Sequence, residues 1–167
     1  IDLGSSDTGS KADNFTLRGN MVAETAVTLT SGDGADVLTV NGEITSNTDA
    51  IDIITGSDSD QFTVKGLIKA QTNVTLDTAA GSDIVTLGEL VGGIAQGGIE
   101  TVAGTVKLDL GETTDGASDN DQFTLTGDIT AYAAIDIDTG AGGDDMTVNG
   151  TITPAAAARE TSTSGCL

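Results

Sequence analysis

The residues in this sequence best suited to chemistry are aspartates that recur in glycine-rich turns. In six similar turns one aspartate stands two residues before an apolar residue, and these six are Asp13, Asp36, Asp60, Asp83, Asp121 and Asp144. A second aspartate lies nearby in three of the turns, at Asp33, Asp58 and Asp119. Carboxylates and turn carbonyls are oxygen ligands that suit Ca²⁺, whereas Mg²⁺ demands stricter octahedral geometry. The pattern predicts Ca²⁺ as a cofactor, bound at these nine aspartates.

The charge of the chain favours this calcium prediction over a purely conformational role for the turns. The sequence carries 26 acidic and 6 basic side chains, for a net charge of −20. Like charges stacked about 5 Å apart repel by about 0.9 kcal/mol in water, and more at lower dielectric. A cation between them would remove that cost. The alternative is that Asp and Gly are present as ordinary turn formers.

The best copies of the turn resemble the repeat of the calcium-binding RTX β-roll family, G-G-x-G-x-D-x-U-x with U hydrophobic. The residues that carry the resemblance are Gly32, Gly34, Asp36 and Leu38, then Gly140, Gly142, Asp144 and Met146. That family repeats its motif every nine residues, whereas here it occurs once in 23 or 24. The resemblance implies calcium on one edge only. In style the chain also resembles repetitive bacterial surface proteins and adhesins.

Two alternating segments recur between the turns. The first is a hydrophobic–Thr–hydrophobic triplet, centred on Thr16, Thr39, Thr63, Thr86, Thr124 and Thr147, and another apolar residue follows it at Met21, Ile44, Ile68, Leu90, Ile129 and Ile152. The second segment begins at Val27, Ile51, Val74, Val106 and Ile135. Alternation with a period of two is typical of half-buried strands. Each unit is therefore predicted to contain two strands separated by a bend.

A unit of this length with two short strands cannot bury its own apolar face, but parallel stacking of copies can. We therefore expect an all-β fold, a parallel β-solenoid (β-helix) of about six coils with a 23–24-residue repeat, forming a single domain over residues 1–167. One inward column is predicted to contain Phe15, Leu38, Phe62, Val85, Phe123 and Met146, and another Leu29, Ile53, Leu76, Leu108 and Ile137. The triplet threonines are predicted to face outward.

The repeat is irregular over residues 88–120, and insertions in a solenoid project as loops from one face. Residues 91–104 are either a contact loop or a tolerated bulge. Residues 1–11 and 154–167 are predicted to be assembly segments, because one end has the second strand without the first and the other has the reverse. Head-to-tail stacking would complete both, with Cys166 at the junction.

Several functional classes are disfavoured by composition. The sequence has no His, no Trp and one Tyr, and no motif supplies a catalytic pair, so we do not expect an enzyme. A polyanion is repelled by nucleic acid, and no apolar run approaches the roughly 20 residues of a membrane span. Neither nucleic acid nor membrane insertion is expected. Asn-x-Thr sequons occur at Asn14, Asn73 and Asn149, and whether they are glycosylated is left open.

The function expected from the sequence is that of an extracellular or cell-surface structural protein. It would be a calcium-stabilised subunit of a filament, sheath or surface layer, with itself or neighbouring surface proteins as partners. The alternative is a calcium-binding repeat segment of a large secreted adhesin. A minor alternative is an ice-binding solenoid, although among the alternating segments only two supply a Thr-x-Thr pair, at Thr28/Thr30 and Thr124/Thr126.

Overall fold

Short β-strands account for the regular secondary structure of this chain. The structure, a computed structural model, describes residues 1–3, 11–111 and 119–154. In these residues the elements are strands of three or four residues, with no helix among them. Apart from one antiparallel pair, the strands form three parallel sheets, here called sheets 1, 2 and 3. The chain visits the sheets in that order once per unit.

Sheets 1 and 2 each contain six strands, and sheet 3 contains five. Sheet 1 consists of β1 (Asn14–Leu17), β4 (Val37–Val40), β7 (Gln61–Val64), β10 (Ile84–Leu87), β15 (Gln122–Leu125) and β18 (Asp145–Val148). Sheet 2 consists of β2 (Met21–Ala23), β5 (Ile44–Ser46), β8 (Leu67–Ala70), β13 (Gly98–Thr101), β16 (Asp128–Ala131) and β19 (Ile152–Pro154). Sheet 3 consists of β3 (Val27–Thr30), β6 (Ile51–Ile54), β9 (Val74–Asp77), β14 (Val106–Asp109) and β17 (Ile135–Asp138).

Every strand in the three sheets pairs with its equivalent in the next unit. In sheet 1 the register joins Phe15 to Leu38, Leu38 to Phe62 and Phe62 to Val85, and then continues through Phe123 to Met146. The triplet threonines pair with one another in the same way. Identical pairing in successive units means that inward positions form continuous columns, as the sequence pattern predicted.

The core lies between the three sheets and is made of branched aliphatic residues with two buried phenylalanines. Both predicted inward columns are confirmed in the middle units, where Phe62, Phe123, Ile53 and Leu108 have at most 1% of their surface exposed. The triplet threonine Thr63, one residue from Phe62, is only partly buried. Alternation of apolar and polar residues therefore sets which face of each strand is buried.

The prediction of two strands per unit was wrong, because the segment taken as a bend is itself a strand. It forms sheet 2, in which Ile44 pairs with Ile68 and both are buried. These strands are three or four residues long and most begin close after a glycine. A run this short contains only two inward positions, and the second is often Ala or Ser rather than a large apolar residue. The period-two signal is then too weak to identify a strand.

The irregular unit contains an antiparallel hairpin of β11 (Glu89–Val91) and β12 (Ile94–Gln96), within the predicted insertion. The repeat pattern gave Leu90 as the equivalent of Ile68 and Ile129, and in the structure Ile99 takes that place. Leu90 is 63% exposed on the hairpin, whereas Ile99 is 1% exposed and pairs with Ile68 and Ile129. The hairpin ends in Gly92 and Gly93, whose φ angles of 61° and 83° suit a tight two-residue turn.

The turn that leads from sheet 3 into sheet 1 brings backbone of successive units into close contact. Gly56 lies in this turn with φ 104°, and a Cβ atom there would lie 1.8 Å from the carbonyl oxygen of Gly32 in the preceding unit. Only glycine fits at such a position. The recurring aspartates lie in this turn, so the stacking that excludes a side chain at Gly56 also stacks the aspartates.

These regularly stacked parallel strands are consistent with the predicted β-solenoid. Most of the predicted assembly segments, including residues 4–10 and 155–167 with Cys166, lie outside the described residues. Residues 1–3 are described, and Asp2 forms a parallel bridge with Thr30 of β3. Residues 1–3 therefore occupy the position in sheet 3 that precedes β3.

Candidate functional site: a buried aspartate ladder

Six of the nine predicted ligand residues form one column along the molecule, here called the aspartate ladder. Its members immediately precede the strands of sheet 1, and they are Asp13, Asp36, Asp60, Asp83, Asp121 and Asp144. The four inner members are buried, with at most 1% of their surface exposed. Asp13 and Asp144, at the two ends, are half-buried. The sequence correctly predicted that these six residues are equivalent.

A repeated hydrogen bond links each member of the ladder to the next. The backbone N–H of Asp36 donates to Oδ1 of Asp60 at 2.8 Å, and the N–H of Asp60 donates to Oδ1 of Asp83 at 2.8 Å. The same contact joins Asp13 to Asp36 at 2.7 Å, Asp83 to Asp121 at 2.8 Å and Asp121 to Asp144 at 3.1 Å. Five equivalent contacts make the ladder a structural device that holds consecutive units in register.

The second carboxyl oxygen of each inner aspartate lacks a hydrogen-bond partner. This atom is Oδ2, and it is buried without a hydrogen bond in Asp36, Asp60, Asp83 and Asp121. The nearby Oγ1 of Thr55 is also buried and also lacks a hydrogen-bond partner. A buried ionised carboxylate without a partner is costly, and such groups usually neutralise instead. Burial in the ladder therefore favours the neutral form of these carboxyl groups, or a bound ion that compensates their charge.

The pKa values of Asp60, Asp83 and Asp121 reflect this environment. Burial raises the pKa of Asp60 to about 7, although the hydrogen bond from the backbone N–H of Asp36 and the proximity of the Thr55 hydroxyl oppose the rise. Burial likewise raises the pKa of Asp83 to about 6 and raises that of Asp121 above its ordinary value. Desolvation outweighs the hydrogen bonds because only one of the two oxygens accepts a backbone bond.

The other three predicted ligands lie apart from the ladder. Asp33 and Asp58 are exposed in their turns, and Asp119 is half-buried. Asp58 has a φ angle of 76°, in the left-handed region, where the equivalent residues of the neighbouring turns are Gly34 and Gly81. Asp119 is close enough to raise the pKa values of Asp83 and Asp121 through repulsion. Each of these three residues lies in a different turn.

The fit of calcium to these residues can be tested against the ligand number that the ion requires. Ca²⁺ takes six to eight oxygen ligands. Each inner rung of the ladder has a single oxygen without a partner. Among residues 1–3, 11–111 and 119–154, no three acidic or cysteine side chains come together in a way that could hold a metal ion. Calcium at these nine aspartates stays a prediction from the sequence.

A second buried polar column, beside the ladder, was not recognised in the sequence. Ser31, Thr55 and Thr78 follow consecutive strands of sheet 3 and are at most 1% exposed. The hydroxyl of Ser31 donates to the carbonyl oxygen of Thr55 at 2.7 Å, and that of Thr78 donates to the carbonyl oxygen of Leu110 at 3.0 Å. Each hydroxyl residue follows an inward apolar residue by two positions. The period-two alternation of strand side chains therefore predicts that it also faces inward.

Comparison of the chain with models of protein families found no match, and comparisons with curated proteins and with solved structures found none either. Among the described residues no helix is long and apolar enough to cross a membrane.

Proposed function

We propose that the chain is a β-solenoid of about six units that serves as an extracellular structural protein, and that copies of it stack end to end. The product would be a filament, a sheath or a surface layer. The observation that carries this proposal is the exposed apolar face at the end of the stack that contains β18 and β19. The strands at the opposite end of the stack have the order needed to continue the three sheets from this face. A structural role also suits a molecule whose described strands, apart from one hairpin, all belong to three repetitive sheets.

The end face is defined here by Met146, Val148 and Ile152, the inward residues of the last described unit. They are 45%, 40% and 38% exposed. Their equivalents one unit earlier, Phe123, Leu125 and Ile129, are at most 1% exposed. Beside these residues lies an apolar recess of about 550 Å³, lined by Ala133, Ala134, Ile135, Ile137, Ile152 and Pro154. Apolar surface of this kind, together with unpaired strand edges, favours the docking of a further unit.

The strand order at the two ends allows a second copy to supply that unit. Sheets 1 and 2 end at β18 and β19, one level beyond β17, the last described strand of sheet 3. At the other end, the N–H of Leu3 donates to the carbonyl oxygen of Thr30 at 2.9 Å, so residues 1–3 already pair with sheet 3. A second copy would place its residues 1–3 beside β17, its β1 beside β18 and its β2 beside β19.

The same placement would continue the aspartate ladder between copies. Within the chain, each ladder N–H donates to Oδ1 of the next aspartate. A second copy would present Oδ1 of its Asp13 to the N–H of Asp144. The contact between copies would then repeat the contact between units, as in heterologous assemblies that do not close and therefore grow into fibres.

The same match of strand order supports a second candidate function. Further units of a longer polypeptide would stack on these ends as readily as another copy would. The chain would then be a repeat segment of a large secreted adhesin, and its binding site would lie elsewhere. The two candidates differ in one respect: only the first requires the chain of residues 1–167 to associate with itself.

Sedimentation velocity of the purified chain tests the proposal. We expect association that increases with concentration and is suppressed by Val148→Lys, which places a charge on the end face. The matched control is Thr147→Lys, one residue away on the outward side of β18, and it should associate as the unmodified chain does. A monomeric unmodified chain, or equal association of both variants, would contradict end-to-end stacking.

A shortened chain of residues 1–154 tests whether the end face is covered by the remainder of the chain. If residues 155–167 leave the end face accessible, the shortened and full chains should associate to the same extent. Association of the shortened chain alone would show that these residues cap the end, and head-to-tail assembly of the full chain would then be rejected.

A further inference from the structure

We propose that the inner aspartate ladder is a proton-binding column, in which Asp60 and Asp83 are held as neutral carboxylic acids. In this view the fold is stabilised by protons rather than by a metal ion along this column. The proposal concerns the interior of a single chain and does not depend on whether copies stack.

The first support is the sign of the charges that act on Asp60, Asp83 and Asp121 in the described part of the chain. The charged groups that act through space on Asp60 are Asp36 and Asp83, and those that act on Asp83 are Asp121 and Asp119. For Asp121 they are Asp144 and Asp119. All of these groups are aspartates, so ionisation of one rung makes ionisation of its neighbours harder. A column of buried carboxylates would accumulate repulsion, whereas a column of acids would not.

The second support is the neighbouring column of hydroxyl groups. The hydroxyl of Thr78, beside the carboxyl of Asp83, already donates its hydrogen to the carbonyl oxygen of Leu110 at 3.0 Å. Oγ1 of Thr78 can therefore act only as an acceptor toward Asp83. It would accept a hydrogen bond from a protonated Oδ2 of Asp83. Oγ1 of Thr55, beside Asp60, has no partner at all. A proton on Oδ2 of Asp60 would give both atoms a partner.

The third support is the ligand number that each neutralising species requires. A proton needs one donor oxygen and one acceptor, and each pair of Asp and Thr offers those two atoms. Ca²⁺ needs six to eight oxygens, whereas each inner rung has only one carboxyl oxygen without a partner. The other oxygen of every inner rung already accepts a backbone N–H. The buried column therefore suits the proton.

Replacement of a ladder aspartate by asparagine distinguishes a neutral carboxylic acid from a charged metal ligand. In Asp60→Asn the amide oxygen would still accept the N–H of Asp36, and the NH₂ group would stand where the acid O–H is proposed. We expect the Tm of this variant to exceed that of the unmodified chain by roughly 3–8 °C at pH 8. At pH 4, where Asp60 is already neutral, the difference should shrink toward zero.

The sign of this effect follows from the raised pKa. Asp60 is neutral below its ordinary pKa of 3.8 in both the folded and unfolded chain, so it imposes no penalty there. As the pH rises toward the folded pKa of about 7, only the unfolded chain ionises freely, and the folded state becomes relatively less stable. The amide does not titrate and escapes the penalty. Asp83→Asn should behave alike, with the penalty that it removes developing between pH 3.8 and about pH 6.

The matched control is Asp33→Asn at an exposed turn position, which should leave the Tm within about 1 °C at both pH values. A lower Tm of Asp60→Asn and Asp83→Asn at pH 8 would overturn the proposal, because a needed charge or metal ligand would have been removed. So would a rise in the Tm of the unmodified chain with millimolar CaCl₂ that is absent from Asp60→Asn.

Infrared spectroscopy supplies a readout that does not depend on stability. At pH 5.5 the unmodified chain should show the carbonyl stretch of protonated carboxyl groups, and Asp60→Asn and Asp83→Asn should each lose part of that band. An unmodified chain without the band at this pH would refute the protonated column.

Discussion

At the scale of single residues, the aspartate ladder acts as a register device. In a strand stack, a slip of one residue would turn every inward side chain outward. A slip between Asp60 and Asp83 would also break their backbone hydrogen bond of 2.8 Å and leave both oxygens of Asp83 unpartnered in the core. Apolar contacts are not directional, whereas this hydrogen bond forms in only one register, so the polar contact adds specificity to the alignment of neighbouring units.

The core columns give the plainest prediction at this scale. Phe62→Ala should lower the free energy of unfolding by roughly 3–5 kcal/mol, because Phe62 is fully buried and the short strands around it cannot collapse into the cavity. Thr63→Ala, next to it on the outward side, should cost less than about 1 kcal/mol. Denaturant unfolding measures both values, and equal losses would mean that the strand faces are reversed.

A second prediction concerns the turn at Asp58. This residue holds a φ angle of 76° at a position that is glycine in the adjacent turns, so Asp58→Gly should relieve strain. We expect a gain of about 0.5–1 kcal/mol in unfolding free energy, measured by denaturant titration at pH 7. A loss of the same size would show that the Asp58 side chain has a stabilising partner, and the calcium prediction would then gain support.

The ladder shows how far residue-level reasoning extends. The spacing of the aspartates predicted that they stack, and their position two residues before Leu38 or Phe62 also implied an inward direction, because alternation has a period of two. The turn composition pointed instead to exposed ligands. Which oxygen accepts the backbone N–H depends on the offset between neighbouring units, and a single unit of sequence contains no information on that offset.

At the scale of elements, the three strands of a unit differ in how clearly the sequence marks them. Sheets 1 and 3 have two large inward apolar residues per strand, and both were predicted. Sheet 2 has pairs such as Ile44 with Ser46 or Ile68 with Ala70, and it was missed. Such short strands are stable only because each is hydrogen-bonded to neighbours in adjacent units, which is a tertiary effect.

The hairpin gives a prediction about elements. Gly88 and Gly97 flank it and approach each other closely, since a Cβ atom on Gly97 would lie 2.8 Å from Cα of Gly88. Deletion of residues 89–96 should therefore let these two glycines join without loss of any strand from the three sheets. The deletion also removes the exposed ion pair of Lys65 with Glu89 (3.5 Å), which is worth at most about 1 kcal/mol.

We expect the deletion variant to keep the β-sheet circular dichroism spectrum of the unmodified chain and to melt cooperatively within a few degrees of it. The matched control removes residues 67–74, eight residues that include β8 of sheet 2, and should abolish cooperative melting. Loss of the fold in the hairpin deletion would show that the hairpin is part of the core and not an appendage.

At the scale of the whole molecule, charge opposes assembly and apolar contact favours it. A net charge of −20 on each copy generates repulsion that extends over the Debye length, about 10 Å at 0.1 M salt. Docking of a second copy on the end face would remove apolar surface from water and continue three sets of backbone hydrogen bonds. Salt screens the repulsion between copies but does not weaken the short-ranged apolar contact. We therefore expect end-to-end stacking at physiological ionic strength and less of it at low salt.

Electron microscopy of the purified chain at physiological ionic strength tests the central claim most directly, since stacking by continued units fixes the dimensions of the product. Six levels of strands at about 4.8 Å per level give a rise of about 29 Å per copy. We predict unbranched rods with that axial repeat, and loss of the rods in Val148→Lys but not in Thr147→Lys. Single particles about 30 Å long at all concentrations, or rods with an unrelated repeat, would contradict the account.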